Sequence, residues 1–255
     1  MKKIMIIAGA RPNFMKIAPL MRVLRVHSDQ FKTALVHTGQ HYDIQMSSVF
    51  FKELGIPKPN ISLGIGSGPN KVQVAKIMTA FKEVMLKNKP DLIVVVGDVN
   101  SAMACSKVAA KMNVKIAHVE AGLRSFDRTM PEETNRITTD SLSDYLFVSE
   151  ESGLVNLKKE GISSSKVFHV GNIMIDTLLA NMPKIKKSKI LKAHSLKPKA
   201  YAVLTLHRPS NVDSKESLSE IYDILKSVTA KIKVVYPVHP RTKKMIDKYH
   251  FGRHF

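Results

Sequence analysis

Three carboxylates stand where chemistry is most easily done. Asp98 follows the apolar run Leu92-Ile93-Val94-Val95-Val96 and Gly97. Glu120 ends the run through His118-Val119. Glu132 opens Pro131-Glu132-Glu133-Thr134-Asn135-Arg136. A carboxylate at the end of an apolar strand is costly unless it is paired. Acids gathered in one cleft push each other's pKa apart, which suits a general acid working with a general base. Plainer roles are also open. Asp98 or Ser101 could cap a helix, Pro131–Glu133 could be a helix start with acids on the dipole, and Arg124, Arg128 or Arg136 could form ion pairs.

Cationic and polar residues recur at similar places. Gly9-Ala10-Arg11-Pro12-Asn13 follows an apolar run, with Lys16 one turn further on. A helix start beside an Arg and a Lys is an anion site, or else a solvated face with a proline cap. Thr38-Gly39-Gln40-His41-Tyr42-Asp43 could read hydroxyl groups, or simply form a turn. Gly64-Ile65-Gly66-Ser67-Gly68-Pro69-Asn70 could cradle phosphate or close over a site. His207 and His239 each end a later apolar run; the plainer reading of His207 is a core histidine satisfied by backbone. The dinucleotide fingerprint, the G-K-[ST] ending of a P-loop, the G-x-S-x-G elbow and the H-E-x-x-H motif are all absent, so metal binding is not expected.

Alternating strands and helices must position these groups. Strands are predicted over Lys3–Ala8, Lys32–His37, Asp91–Gly97, Val114–Val119, Asp144–Val148 and Lys166–Val170. Helices are predicted over Asn13–Val26, Lys71–Lys87 and Ser101–Lys111. The unbroken run Leu92–Val96 fits a strand buried on both faces of a parallel sheet. The pattern predicts a doubly wound α/β domain over residues 1–180, with ligands beyond the carboxyl ends of its strands. A Lys-rich linker is expected over 181–199, since Lys184 to Lys199 holds seven lysines and no acid. A second α/β pattern then starts, with strand Tyr201–Leu206, helix Lys215–Thr229 and strand Lys231–Pro237. Over 200–255 it is too short to cover a parallel sheet on both faces, so a fragment of a longer protein is expected.

Composition narrows the class. The chain has 255 residues, 44% hydrophobic and 24% charged, which is ordinary for a globular protein. Its apolar runs fall far short of the roughly 18 to 20 residues that cross a bilayer. The basic start Met1-Lys2-Lys3 is followed by too few apolar residues for a signal peptide, and one cysteine, Cys105, allows no internal disulfide. A cytoplasmic protein is therefore expected. The net charge of +19 raises nucleic-acid binding. Scattered lysines without an aromatic-studded stripe fit an anionic small substrate better.

Taken together, the motifs resemble the non-hydrolysing UDP-N-acetylglucosamine 2-epimerases. The matching runs are Gly9–Asn13 with Lys16, Thr38–His41, Gly97–Asn100, His118–Arg124, Pro131–Arg136, Gly171-Asn172, Thr205–Arg208 and Tyr236–His239, in the family's order over nearly the whole chain. The resemblance implies two Rossmann-like domains facing a cleft, as in GT-B glycosyltransferases, the second incomplete here. It implies reversible conversion of UDP-GlcNAc to UDP-ManNAc through a 2-acetamidoglucal, for surface polysaccharide synthesis. It implies no redox cofactor or metal, no nucleic-acid or membrane partner, and a homodimer.

Carried over by position, Asp98, Glu120 and Glu132 match the family's catalytic carboxylates, and His207 is tied to catalysis as well. Arg11, Lys16 and Arg136 fall to substrate binding. Gln40, His41, Gln73 and His239 resemble a second nucleotide-sugar site that activates some bacterial members. Two departures stand out. Where many members read His-Arg-x-Glu-Asn, this chain has His207-Arg208-Pro209-Ser210-Asn211. The family's Asp-Ser-Gly-Gly loop, with its following Glu and Arg, is absent, which predicts weak substrate binding. The alternatives are a hydrolysing enzyme releasing ManNAc and UDP, a glycosyltransferase of the same architecture, a nucleic-acid-binding module, and an inactive remnant.

Overall fold

The computed structural model describes residues 1–40 and 44–252, and from 44 to 48 and at 209 the backbone alone. Two compact units are present, Met1–Met182 and Pro183–Phe255. The first unit carries strands β1 (Lys2–Ala8), β2 (Phe31–His37), β3 (Ile61–Ser62), β4 (Leu92–Val96), β5 (Lys115–Ala121), β6 (Tyr145–Val148) and β7 (Val167–His169). Between them run helices α1 (Arg11–Val26), α2 (Ile44–Leu54), α3 (Asn70–Asn88), α4 (Asn100–Lys111), α5 (Pro131–Leu142) and α6 (Glu151–Lys159), and α7 (Ile173–Lys187) follows β7 and runs past the boundary of the unit. The strands form one seven-stranded parallel sheet in the order β3-β2-β1-β4-β5-β6-β7. The order reverses between β1 and β4, and ligands of open α/β sheets bind outside the strand ends at such a point.

The alternation of side chains along β1 and β4 explains why both strands read as solid apolar runs. Met5, Ile7, Ile93 and Val95 face α3 and α4, packing with Ile77, Phe81, Ala104 and Cys105. Ile4, Ile6, Val94 and Val96 face the other way, onto Phe14 and Ile17 of α1. Each face needs its own helical cover, so neither parity of the strand can be polar. Cys105 is fully buried, and burial pushes its thiol well above the ordinary value.

One helix carries a defect that a neighbour repairs. Pro19 lies inside α1 and has no N–H to give the Met15 carbonyl one turn back. Thr177 of α7 donates its hydroxyl to that carbonyl instead, at 2.5 Å. The helix that bears Arg11 and Lys16 is thereby fastened to α7.

The second unit holds α8 (Ile190–Ala193), β8 (Tyr201–Val203), α9 (Pro209–Val212), α10 (Lys215–Thr229), β9 (Lys233–Val235) and α11 (Pro240–Lys248). Strands β8 and β9 pair in parallel. Residues 181–199 hold the end of α7, all of α8 and the turns around them. Among the described residues no helix is long and apolar enough to cross a membrane.

Candidate active site

Asn13 organises the turn after β1. Its Oδ1 accepts from the backbone N–H groups of Gly9 and Ala10, at 2.8 and 2.9 Å. Its Nδ2 donates to the Val96 carbonyl at 3.0 Å. One side chain thus ties together the ends of β1 and β4, at the point where strand order reverses. A Cβ on Gly9 would meet Ser101 Oγ at 2.2 Å, so only glycine lets this turn lie against α4. Arg11 is exposed, with its guanidinium 5.8 Å from the Phe50 ring centroid. Lys16, one turn later, is buried.

Lys16 points back over the sheet to Glu120. Its Nζ lies 2.7 Å from Glu120 Oε1, and the two side chains are 10% and 17% exposed. Glu120 adopts a positive φ of 71°, and the register between β5 and β6 shifts at this residue. An irregularity of this kind re-aims a side chain that strict alternation would send elsewhere. Gly97 lies close by, at φ 66°. A Cβ there would stand 2.9 Å from Lys16 Nζ and 3.8 Å from Glu120 Oε1.

Asp98 meets the neighbouring helix. Arg136 of α5 donates to Asp98 Oδ2, and Asn135 donates to the Asp98 carbonyl at 2.9 Å and to Asn100 Oδ1 at 3.0 Å. Neither Asp98 nor Ser101 caps α4, whose N-cap is Val99. Ser101 Oγ instead donates to Gln40 Oε1 at 2.8 Å and lies 2.7 Å from Thr38 Oγ1. Glu132 is exposed in the first turn of α5 and has no hydrogen-bond partner among the described residues. The partners of Asp98 and Glu120 are therefore cations, where the sequence alone suggests acids acting on one another.

Two buried acids stand behind these groups. Glu133, 2% exposed, accepts from Ser125 N–H, Ser125 Oγ and Phe126 N–H at 2.8, 2.9 and 3.1 Å. Burial pushes its carboxyl up, but these donors and the Arg124 charge outweigh it and hold the group below its ordinary value. His118 is fully buried. Its Nε2 donates to the Gly97 carbonyl at 2.9 Å and its Nδ1 lies 2.6 Å from Asp140 Oδ1. Asp140 Oδ2 also accepts from Gly122 N–H at 3.0 Å and lies 2.8 Å from Arg124 Nη2. Burial raises the Asp140 carboxyl, yet His118 and Arg124 prevail and it sits below its ordinary value. Position at a strand end could not single out Glu133 or Asp140. The available signal was polar spacing on α5: Glu133, Arg136 and Asp140 recur at three and four residues, where an amphipathic helix places its inward face.

The remaining expected residues lie apart from these pairs. Gln40 and Gln73 are buried. Gln73 Nε2 donates to the carbonyls of Gln40 and Gly66 at 3.1 and 2.8 Å, and its Oε1 accepts from Asn100 at 2.9 Å. The glycine-rich loop is pinned as well: Ile65 N–H and Gly66 N–H donate to the carbonyls of Thr38 and Gly39. His41 lies outside the described residues. His207 and His239 belong to the second unit, with ring centroids 5.7 Å apart. His207 is exposed, and His239 Nδ1 caps α11 by accepting from Arg241 N–H at 3.2 Å. Among the described residues no group of three or more His, Cys, Asp or Glu could hold a metal ion.

Known proteins are similar to this chain in sequence and in overall fold. A family profile described as UDP-N-acetylglucosamine 2-epimerase matches residues 24–253. A UDP-N-acetylglucosamine 2-epimerase homolog of Methanococcus maripaludis is 47% identical over 97% of this chain and 68% of its own length. A UDP-2,3-diacetamido-2,3-dideoxy-D-glucuronate 2-epimerase of Pseudomonas aeruginosa is 38% identical over 96% of this chain and 69% of its own. Among solved structures, the UDP-GlcNAc 2-epimerase of Methanocaldococcus jannaschii, in complex with UDP-GlcNAc and UDP, superposes with a TM-score of 0.87. It is 41% identical, and the match covers 97% of this chain and 69% of that one.

Proposed function

The chain belongs to the UDP-N-acetylglucosamine 2-epimerase family, and on that premise we propose that it interconverts UDP-N-acetylglucosamine and UDP-N-acetylmannosamine by eliminating and re-adding UDP. The observation that carries this reading is the Lys16–Glu120 pair, set at the strand ends where the sheet order reverses. A carboxylate at that point can take the C2 proton. As that proton leaves, the C1–O bond breaks, its electron pair departs with UDP, and C1 and C2 become doubly bonded in a 2-acetamidoglucal. Re-addition of the UDP oxygen at C1, with a proton delivered to the opposite face of C2, completes inversion.

One carboxylate cannot serve both faces of a ring. Asp98 and Glu120, each with its own cation, supply two acid–base groups, with Glu132 at the start of α5 as a third. Lys16 and Arg136 keep the carboxylates oriented until substrate arrives. Arg11 and His207 steady the charge that develops on the departing diphosphate. C1 and C2 undergo no net oxidation, so the scheme has no step for a redox cofactor. The same reading includes a cytoplasmic homodimer, service to surface polysaccharide synthesis, and an activator site at Gln40, His41, Gln73 and His239.

Incubation with UDP-GlcNAc and separation of the products tests the proposal. UDP-ManNAc in equilibrium with UDP-GlcNAc supports it; free ManNAc with UDP would assign the hydrolysing reaction instead. A second reading changes only the sugar. The Pseudomonas relative makes a UDP-diacetamido-uronate the natural alternative substrate, and the same assay with that compound distinguishes the two.

A further inference from the structure

Among the described residues of the first unit, four that are not glycine hold a positive φ. Lys89 is the C-cap of α3 and Asn113 follows the C-cap of α4, places where a left-handed residue is ordinary. The other two are Glu120, in the site, and Phe126, at 61°. A bulky side chain disfavours that conformation, and strain of this kind clusters at functional sites. Phe126 gains nothing by burial, being 78% exposed.

The strain is maintained by a specific device. Glu133 accepts from the backbone N–H groups of Ser125 and Phe126 and from the Ser125 hydroxyl. It stands one helical turn before Arg136, the residue that bonds Asp98. Phe126 and Arg136 both line an open cavity of about 560 Å³, together with Ser125, Ser152 and Asn156. That volume is within the range of roughly 300–1,000 Å³ typical of small-molecule sites. The cavity thus joins an exposed phenyl ring to the Asp98 pair through Arg136.

A pyranose presents C–H bonds on its faces and polar groups around its rim. A phenyl ring beside Ser, Asn and Arg side chains matches that distribution. We propose that Phe126 is a substrate-binding residue: its ring is the platform on which the hexose ring of the nucleotide sugar lies, and Glu133 is the positioning residue that holds the platform at its angle. Uracil is the other flat ring of such a substrate, but the connection through Arg136 to Asp98 places the platform at the reacting sugar. This inference rests on the epimerase reading above.

Phe126→Gly tests it, because glycine accepts the positive φ while the ring is removed. Saturation-transfer NMR with UDP-GlcNAc reads hexose and uracil protons separately, and initial rates give KM. In the variant, hexose protons lose saturation relative to uracil protons, KM rises about tenfold, and the melting temperature does not fall. Phe126→Tyr, which keeps the aromatic face, avoids most of the KM rise seen in Phe126→Gly. Glu133→Gln raises KM in the wild-type background and has no further effect on it in the Phe126→Gly background, as expected of a group acting through the ring. Unchanged KM and unchanged hexose saturation in Phe126→Gly, with the wild type binding, overturn this inference alone. A wild-type chain that saturates no proton of UDP-GlcNAc overturns it and the epimerase reading together.

Discussion

The ammonium of Lys16 lies 2.7 Å from the carboxylate of Glu120, although 104 residues separate them along the chain. The pair links the helix after β1 to the end of β5, across the position of Gly97 at the end of β4. Three strands therefore contribute to one charge pair. Glu120→Gln keeps the shape and removes the charge. Turnover is expected to fall by about 100-fold or more, the scale of a lost acid–base group, with the circular dichroism spectrum retained. Asp98→Asn is expected to behave likewise. Near-normal turnover in either variant removes that residue from the catalytic set.

Gly97→Ala adds a methyl group 2.9 Å from Lys16 Nζ, at a backbone φ of 66°. Gly64 provides the control, with φ 60° and nothing within 4 Å of its added Cβ. Both substitutions are expected to cost about 1–2 kcal/mol for the left-handed backbone. Only Gly97→Ala displaces the Lys16–Glu120 pair, so only it lowers turnover at matched folded fraction. Thermal melts with parallel rate measurements decide this, and equal turnover in the two variants would detach Gly97 from the site.

Thr177→Val leaves the Met15 carbonyl without its donor, at an expected cost of about 1 kcal/mol. Pro19→Ala returns an N–H to α1. In that background Thr177→Val is expected to be close to neutral. A urea-denaturation cycle of the four proteins measures the coupling. Strict additivity would show that the hydroxyl does not replace the missing helical bond.

Asp140 predicts a component of acid sensitivity. Its folded-state carboxyl titrates below the ordinary value of 3.8 because His118 and Arg124 outweigh the effect of burial. As pH falls, the unfolded chain takes up this proton first. The stability so contributed is complete above the ordinary value and is lost as pH drops through the lower folded value. Asp140→Asn is expected to flatten this part of the acid dependence. It also removes the carboxylate that buried His118 and Arg124 share, Arg124 keeping Glu160, at a cost of about 1–3 kcal/mol near neutral pH. Urea midpoints across the acid range measure both effects, and an unchanged slope would assign the acid sensitivity elsewhere.

Much of the first unit is legible in its sequence because double-faced burial leaves an unmistakable mark. The run at Leu92–Val96 fits a strand covered on both faces, and it forms the central strand β4. β3 was not legible, since Ile61–Ser62 is too short to show a period. In the second unit the predicted strand Tyr201–Leu206 stops pairing at Val203, because its parallel partner β9 covers only Lys233–Val235. The last bond to β9 runs from Leu204 N–H to the Val235 carbonyl, and apolar character continues beyond it at Leu206. Position after a strand was enough to mark Asp98, Glu120 and Lys16. It was not enough to separate Glu132 from Glu133, neighbours about 100° apart around α5. Helix phase, fixed by packing, leaves the first exposed and turns the second onto the Ser125–Phe126 backbone.

Proton NMR of the purified chain with UDP-GlcNAc in deuterated water follows the fate of the C2 proton itself. Removal and return of the C2 proton must exchange it with solvent. Elimination and re-addition of UDP predict deuterium at C2 together with the appearance of UDP-ManNAc. UDP-ManNAc formed with its original C2 proton fully retained would contradict it.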